Sequence, residues 1–342
     1  MRRLLAPIRA TAGTARWLLV AGLLIVGMFV VFALFADWIA PFGYNQTTGA
    51  DGVKFEKFAP PGGVHLFGVN DLFYDVYSRV VWGARTALSV VLLSILMSAV
   101  VGVVLGLVSG YVGGWLDRVL VLVMDALYSF PSLLLAIVFS FLLRGTLGSG
   151  VAAAALSLTV IYIPQYFRVV RNTTVSAREA TYVEAARAFG ASNTTIMGRY
   201  LFSNVIGSVP VIGTLNAADA ISTLAALGFL GLGIQPNEAA EWGFDLSRAM
   251  DDAASGIWWT GLFPGLAIVL LVAGLTLVGE GLNETVNPTL RKRRFAKVTL
   301  PQRPSQPDET VAVGGAVALA PAAVAADQPA AWVPGTDEEA RS

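Results

Sequence analysis

The sequence predicts an all-α polytopic membrane protein with six transmembrane helices. Hydrophobic residues make up 55% of the 342 and charged residues only 13%, with a mean hydropathy of +0.66; soluble domains run to about 25% charged. The apolar residues also gather into runs long enough to cross a bilayer, which takes about 20 residues of helix. A third observation sets one stretch apart: Ser176 to Gly190 is a polar interlude between two long apolar runs, and it reads as a short helix of its own.

Taken in order, the chain opens with Arg2, Arg3, Arg9 and Arg16, followed by an apolar run from Trp17 to Ala36. That run has the length of a span, beyond the roughly 7 to 15 residues of a signal-peptide core. Trp17 and Trp38 bracket it as interfacial anchors. Residues 1–16 are therefore expected on the cytoplasmic side, with 17–36 as the first span. Residues 37–85 read as an extracytoplasmic loop punctuated by Pro41, Gly43, Pro60, Pro61, Gly62 and Gly63, with Asp71–Arg85 as an interfacial amphipathic helix. His65 lies in this loop. Without Cys or clustered carboxylates around it, it reads as a surface residue rather than a metal ligand.

Residues 86–290 form the core. Its expected spans are Thr86–Gly110, Val119–Leu143, Gly150–Phe167, Val205–Gly233 and Leu262–Leu282. Pro164 and Pro210 are tolerable inside spans, because neighbouring helices satisfy the freed backbone groups. A loop with Glu238, Glu241, Asp245, Asp251 and Asp252 precedes the last span. Residues 291–342 are expected to be a cytoplasmic tail, disordered where Ala, Pro and Val run without helical period.

In the polar interlude, Ser176 and Glu179 have the spacing of a capping box. Gly190 reads as the stop, since the residue past a helix end often takes positive φ. Tyr182, Ala185, Ala186 and Phe189 fall at i, i+3, i+4 and i+7 and make one narrow apolar face. Orientation follows from Lys and Arg, which are retained on the cytoplasmic side. With the N-terminus inside, the cytoplasmic segments as far as Lys297 hold 15 of them, among them Arg118, Arg168, Arg171 and Arg199, against 6 in the outer loops. The interlude then lies in the cytoplasm between the fourth and fifth spans, and both termini are cytoplasmic.

Polar residues inside spans mark candidate sites. Asn216, Asp219 and Thr223 fall at i, i+3 and i+7 of the fifth span. Such a stripe either lines a translocation pathway or packs on a neighbouring span through small residues such as Ala217 and Ala220. Asp125, in the third span, is either a polar contact that locks helices together or a pathway residue. Other chemistry is absent from the sequence. Zero net charge offers nothing to nucleic acid, and the lack of Cys removes disulfides, thiolate metal sites and Cys nucleophiles. There is no G-x-x-x-x-G-K-[ST], G-x-S-x-G or H-E-x-x-H. No catalytic residue, metal or cofactor is expected.

Glu184-Ala185-Ala186 followed by Gly190 resembles the cytoplasmic coupling loop of bacterial ABC-importer permeases. Gly106-Leu107-Val108-Ser109-Gly110, Met124-Asp125 and Ser129-Phe130-Pro131-Ser132 are similar to the second and third spans of the peptide-type branch. Gly228–Gly233 with Gln235-Pro236 and Trp242-Gly243 resembles its fifth span and outer loop, and Phe263-Pro264-Gly265-Leu266 its sixth. Over about residues 17 to 290 the chain resembles the C-type permease subunit of dipeptide and oligopeptide (peptide/nickel) importers. The resemblance implies a coupling loop over 176–203, with Tyr182, Glu184, Ala185, Ala186, Phe189 and Gly190 docking an ATPase. It also implies a second permease as heterodimeric partner, two ATP-binding-cassette ATPases and an extracytoplasmic substrate-binding protein, in the lipid of a bacterial cytoplasmic membrane. ATP hydrolysis would sit on the separate chains, and the solute would be a dipeptide or oligopeptide. The chain departs from the family at Phe202-Ser203, where Leu-Pro is usual, and at Leu224, where an acid is frequent. Gly68–Asp75 keeps only the ends of an outer-loop motif, and one extra residue precedes Trp242. The alternative is an ion-gradient-driven secondary transporter. Against it, no repeated halves are visible, and Asp125 and Asp219 are the deep ionisable candidates.

Overall fold

The computed structural model describes residues 14–147 and 150–286. They belong to the first of two units, Met1–Lys292. The expectations for residues 1–13 and for the 291–342 tail lie outside the described residues. Twelve α-helices are described: α1 (Thr14–Leu34), α2 (Ala36–Ile39), α3 (Val76–Val112), α4 (Gly114–Ser129), α5 (Ser132–Leu147), α6 (Gly150–Arg178), α7 (Thr181–Ala188), α8 (Asn193–Thr195), α9 (Phe202–Val205), α10 (Val209–Phe229), α11 (Trp242–Ala254) and α12 (Trp259–Val286). Among the described residues five helical stretches are long and apolar enough to cross a membrane, and α4 with α5 make a sixth if they count as one broken span.

The third span differs from the expected straight Val119–Leu143. It bends by 98° between α4 and α5. Pro131 supplies the reason: it has no N–H to donate, and it pushes Phe130 out of the helical region, to φ −78° and ψ 139°. The interfacial helix expected over Asp71–Arg85 is also redrawn. Helix begins only at Val76, where Asp75 caps it by accepting from Ser78 N at 2.7 Å, and then runs unbroken to Val112. The fifth span starts earlier than Val205. A helical path from Asn193 to Phe229 passes through a π turn at Ile196–Leu201 and a 3₁₀ turn at Ile206–Ser208.

Helices α3 and α6 form the closest pair in the bundle. Gly102, Gly106 and Gly110 recur every four residues along α3, and α6 lies against them. A Cβ at Gly106 would sit 2.7 Å from the Phe167 carbonyl oxygen, and one at Gly110 would sit 2.8 Å from that of Arg171. Small residues at this spacing let backbones approach where lipid supplies no hydrophobic drive between helices. The middle of the bundle is filled by Leu158, Tyr162, Tyr166, Ile221, Leu224, Leu227 and Leu271, all 2% exposed or less. Leu224 thus occupies a dry core position.

At one end the loop before α3 folds against α11. Arg79 Nε donates to both Asp245 oxygens at 2.7 and 2.8 Å, and Arg79 Nη1 donates to the Tyr44 carbonyl at 2.9 Å. Both side chains of the pair are buried. Trp242 Nε1 donates to the Val80 carbonyl and Trp259 Nε1 to that of Val69. The stretch read as an acidic loop is therefore mostly the helix α11. Glu241 caps its start, accepting from Gly243 N and Phe244 N at 2.8 and 2.7 Å. Glu241, Asp245 and Asp252 are buried rather than solvated. His65 is no free surface residue either. Its Nδ1 lies 2.9 Å from Asp75 Oδ1, and its ring packs against Phe42 and Phe55. No cluster of three metal-ligating side chains occurs among the described residues.

Candidate functional site

Two places gather the predicted site residues: α7 at the opposite end of the bundle, and a cavity in the bend of the broken span.

The expected capping box at Ser176 and Glu179 does not form. Helix α6 continues through Ser176, whose hydroxyl donates back to the Asn172 carbonyl at 3.2 Å, a local bond that lets Ser sit inside a helix. Glu179 pairs with its neighbour Arg178 instead. The helix breaks at Ala180, extended at φ −76° and ψ 145°, and α7 follows. Its C-terminus is as expected. Gly190 has φ +78°. Gly190 N donates to the Arg187 carbonyl at 2.9 Å and Ala191 N to that of Ala186 at 3.0 Å, the bond pair of a Schellman cap.

The buried face of α7 is not the Tyr182, Ala185, Ala186, Phe189 stripe. Val183 and Ala186 point inward, onto Ala177, Ile196 and Leu201. Val183 and Ala186, three apart, share the face that Ala177, Ile196 and Leu201 cover. Ala185 and Glu184 are exposed, Tyr182 is 39% exposed and Phe189 91%. The element is held from several sides. Arg178 Nη1 donates to the Gly110 carbonyl at 2.9 Å, Asn204 Nδ2 to the Tyr182 hydroxyl at 2.9 Å, and the Tyr111 hydroxyl to Asn193 Oδ1 at 2.7 Å. An apolar, small-residue surface with one carboxylate is thus presented on a braced support. Val183, the anchor, was hidden in the sequence because only the true helix start reveals its face.

The stripe on α10 divides. Asn216 and Thr223 are buried, 4% and 7% exposed, on the α6 side. There Asn216 faces the Tyr166 hydroxyl and Thr223 that of Tyr162. Asp219 is exposed and accepts from the Tyr162 hydroxyl at 2.8 Å. It lines a polar cavity of about 290 Å³ together with Tyr128, Phe130, Ser132 and Gln165. Asp125 accepts from Arg168 Nη2 at 2.8 Å, joining α4 to α6, and the Arg168 guanidinium stacks 4.2 Å from the Tyr128 ring. Eight residues before Asp125 on α4, Asp117 accepts from Arg171 at 2.5 and 2.7 Å. So Asp219 lines the cavity and Asp125 is paired outside its lining, while Asn216 and Thr223 are buried against α6.

Comparison with known proteins bears on this arrangement. Residues 102–292, more than half of the chain, match the family model described as the inner membrane component of binding-protein-dependent transport systems. The chain belongs to that family. Residues 15–61 match the N-terminal transmembrane domain of oligopeptide transport permease C. Relatives include the Glutathione transport system permease protein GsiD of Shigella flexneri, 37% identical over 268 residues, and that of Escherichia coli O6:K15:H31, 35% identical. Each alignment covers 78% of this chain and 85% of the relative. As such an inner membrane component, the chain is a polytopic permease subunit of an ABC importer rather than an enzyme. ATP hydrolysis belongs to separate ATPase chains, and family membership implies a substrate-binding protein and a second permease beside them. The matched region takes in α7, the cavity and the buried α3–α6 seam.

Proposed function

We propose that this permease carries peptide-like solutes and takes its drive from an ATPase docked on α7. The observation that supports docking is the pairing of a rigidly capped helix with an outward face of Tyr182, Glu184, Ala185 and Phe189. Large apolar side chains this exposed, at a helix end fixed by a Schellman cap, are costly unless covered by a partner. In this reading α7, the Arg-rich segments and both termini are cytoplasmic, and the Arg79–Asp245 end is extracytoplasmic. The two permeases form a heterodimer with two ATPases, and the π turn at Ile196–Leu201 passes motion from α7 to α10, since such turns absorb local repacking. A peptide solute is supported by the match to an oligopeptide permease domain and by relatives named for glutathione, itself a small peptide.

The experiment is uptake of a radiolabelled dipeptide into proteoliposomes holding the assembled transporter and its binding protein. Accumulation is expected only with ATP on the α7 side. Accumulation that follows an imposed ion gradient without ATP would overturn the drive, and ATP-dependent transport that no peptide inhibits would overturn the solute class.

A further inference from the structure

The bend at Phe130–Pro131 leaves a space between α4, α5, α6 and α10, and one charge in it is not balanced. Asp219 Oδ2 accepts from the neutral Tyr162 hydroxyl. Among the described residues no Lys, Arg or His pairs with Asp219. The nearest basic residue on the same face of α6, Arg168, is already matched by Asp125. A carboxylate inside a span, exposed to an open cavity and unpaired with a cation, marks a functional position. The remaining polar lining is neutral: Gln165 from α6, Ser132 from α5 and the Tyr128 ring from α4, which carries the stacked Arg168 on its side. At about 290 Å³ the cavity is near the lower end of small-molecule sites, about 300 Å³.

We propose that Asp219, with Gln165 and Ser132, is the subsite that takes the ammonium group of the transported solute. An ammonium brings three donors, and the wall offers it a carboxylate oxygen, an amide oxygen and a hydroxyl. Its charge supplies what the wall lacks. A divalent metal would instead want several anionic or imidazole ligands, and no such cluster exists among the described residues. The subsite rests on the reading of the chain as a peptide permease and sharpens it. The amino terminus of the peptide is recognised in the membrane, beside the bend, while the nearby Arg168 is already paired with Asp125. Selection by a single charge also fits a site that must release its solute: one ion pair, without a surrounding cage, binds weakly.

Two measurements on the assembled transporter test it. In the first, Ser132→Cys is labelled with a cationic and an anionic methanethiosulfonate reagent of similar size, read by mass spectrometry at that position; the natural chain has no Cys. A unit charge lining the same cavity should favour the cationic reagent by about tenfold. Adding Asp219→Asn should bring the ratio down about tenfold, and Asp219→Glu should keep most of it. In the second, alanyl-alanine and its N-acetyl derivative compete for uptake of a labelled dipeptide. The free amine should compete at least about tenfold better, and Asp219→Asn should erase that preference while Asp219→Glu restores part of it. A labelling ratio that Asp219→Asn leaves unchanged, or undiminished preference for the free amine in that variant, overturns the subsite. If no peptide competes even in the wild type, the peptide reading fails by itself, and the labelling ratio still decides whether Asp219 governs cation access.

Discussion

Arg79 and Asp245 show how a single buried pair holds an entire end of this molecule. Arg79 lies in the first turn of α3, Asp245 in the first turn of α11, and they are 166 positions apart. Removing one partner leaves the other buried and unpaired, which costs about 3–5 kcal/mol. Arg79→Met should therefore lower the thermal midpoint in detergent strongly, and Arg79→Met with Asp245→Leu should recover most of the loss. Equal destabilisation by the single and the double variant would show that the pair is not what holds α11. Beside it, burial pushes the Glu241 carboxyl up from near 4.5 to about 8, against the two backbone N–H groups it accepts. Asp245 and Asp252 are moved the same way by burial, with Arg79 opposing it at Asp245. A raised carboxyl means that the folded chain holds its proton when the unfolded chain has lost it. The folded state then binds more protons between about pH 4.5 and 8, and stability falls as pH rises through that window. Glu241→Gln should flatten the decline in thermal midpoint between pH 5 and 8; an unchanged slope would place the proton elsewhere. Little of this was legible in the sequence. Glu241, Asp245 and Asp252 read as a solvated loop because their periodicity over α11 is mostly polar, and only the fold shows that the polar face turns inward.

Among the elements, α3 and α7 make the sharpest demands. Along α3 the glycines at 106 and 110 were visible only as part of a family resemblance and Gly102 not at all, yet all three let α6 approach closely. Gly106→Leu would force side-chain carbon into the Phe167 carbonyl and should cost at least about 1–3 kcal/mol, seen as a lower thermal midpoint and aggregation in detergent. A fully stable Gly106→Leu protein would mean that the seam is looser than described. For α7 the stop signal was readable and the start was not. Gly190 at φ +78° with open space around it needs only its backbone freedom, which a β-branched residue lacks. Gly190→Val should cost roughly 1–3 kcal/mol locally, and proteolysis should nick the 180–204 segment faster while the bundle stays folded. Unchanged protease resistance would remove the Schellman cap from the account. The missed start has a physical source: Ser176 has two ways to use its hydroxyl, and back-bonding to Asn172 within α6 wins over capping. The cap moves four residues on, from Ser176 to Ala180, and Val183 meets the bundle while Tyr182 and Phe189 are exposed. The kink at Pro131 was legible in principle, since Pro in a long apolar run interrupts the helix ladder, but hydropathy alone reads straight through it.

For the whole molecule, composition and the apolar runs were enough to give the class, because lipid admits only helices or closed barrels, and α1, α3, α6, α10 and α12 all answer to expected spans. What the runs could not give is the division of the α10 stripe. Helical spacing puts Asn216, Asp219 and Thr223 on one side, but whether that side meets a tyrosine of α6 or open space depends on where α4 and α5 bend away. The molecule that results is polar at two ends for different reasons. One end is locked by Arg79–Asp245 and by tryptophans bonded to carbonyls. The other carries the capped α7 with Tyr182 and Phe189 exposed. Our proposal for this ABC importer permease is that the ATPase binds the outward face of α7. The direct test is co-purification of the ATPase chains with tagged permease, wild type against Phe189→Asp and Glu184→Lys. Both residues are exposed, so thermal midpoints should stay within about 0.5 kcal/mol of wild type. ATPase recovered with the wild type and lost with Phe189→Asp, the second permease being retained in both, is the predicted result; ATPase recovered in full with both variants would contradict it.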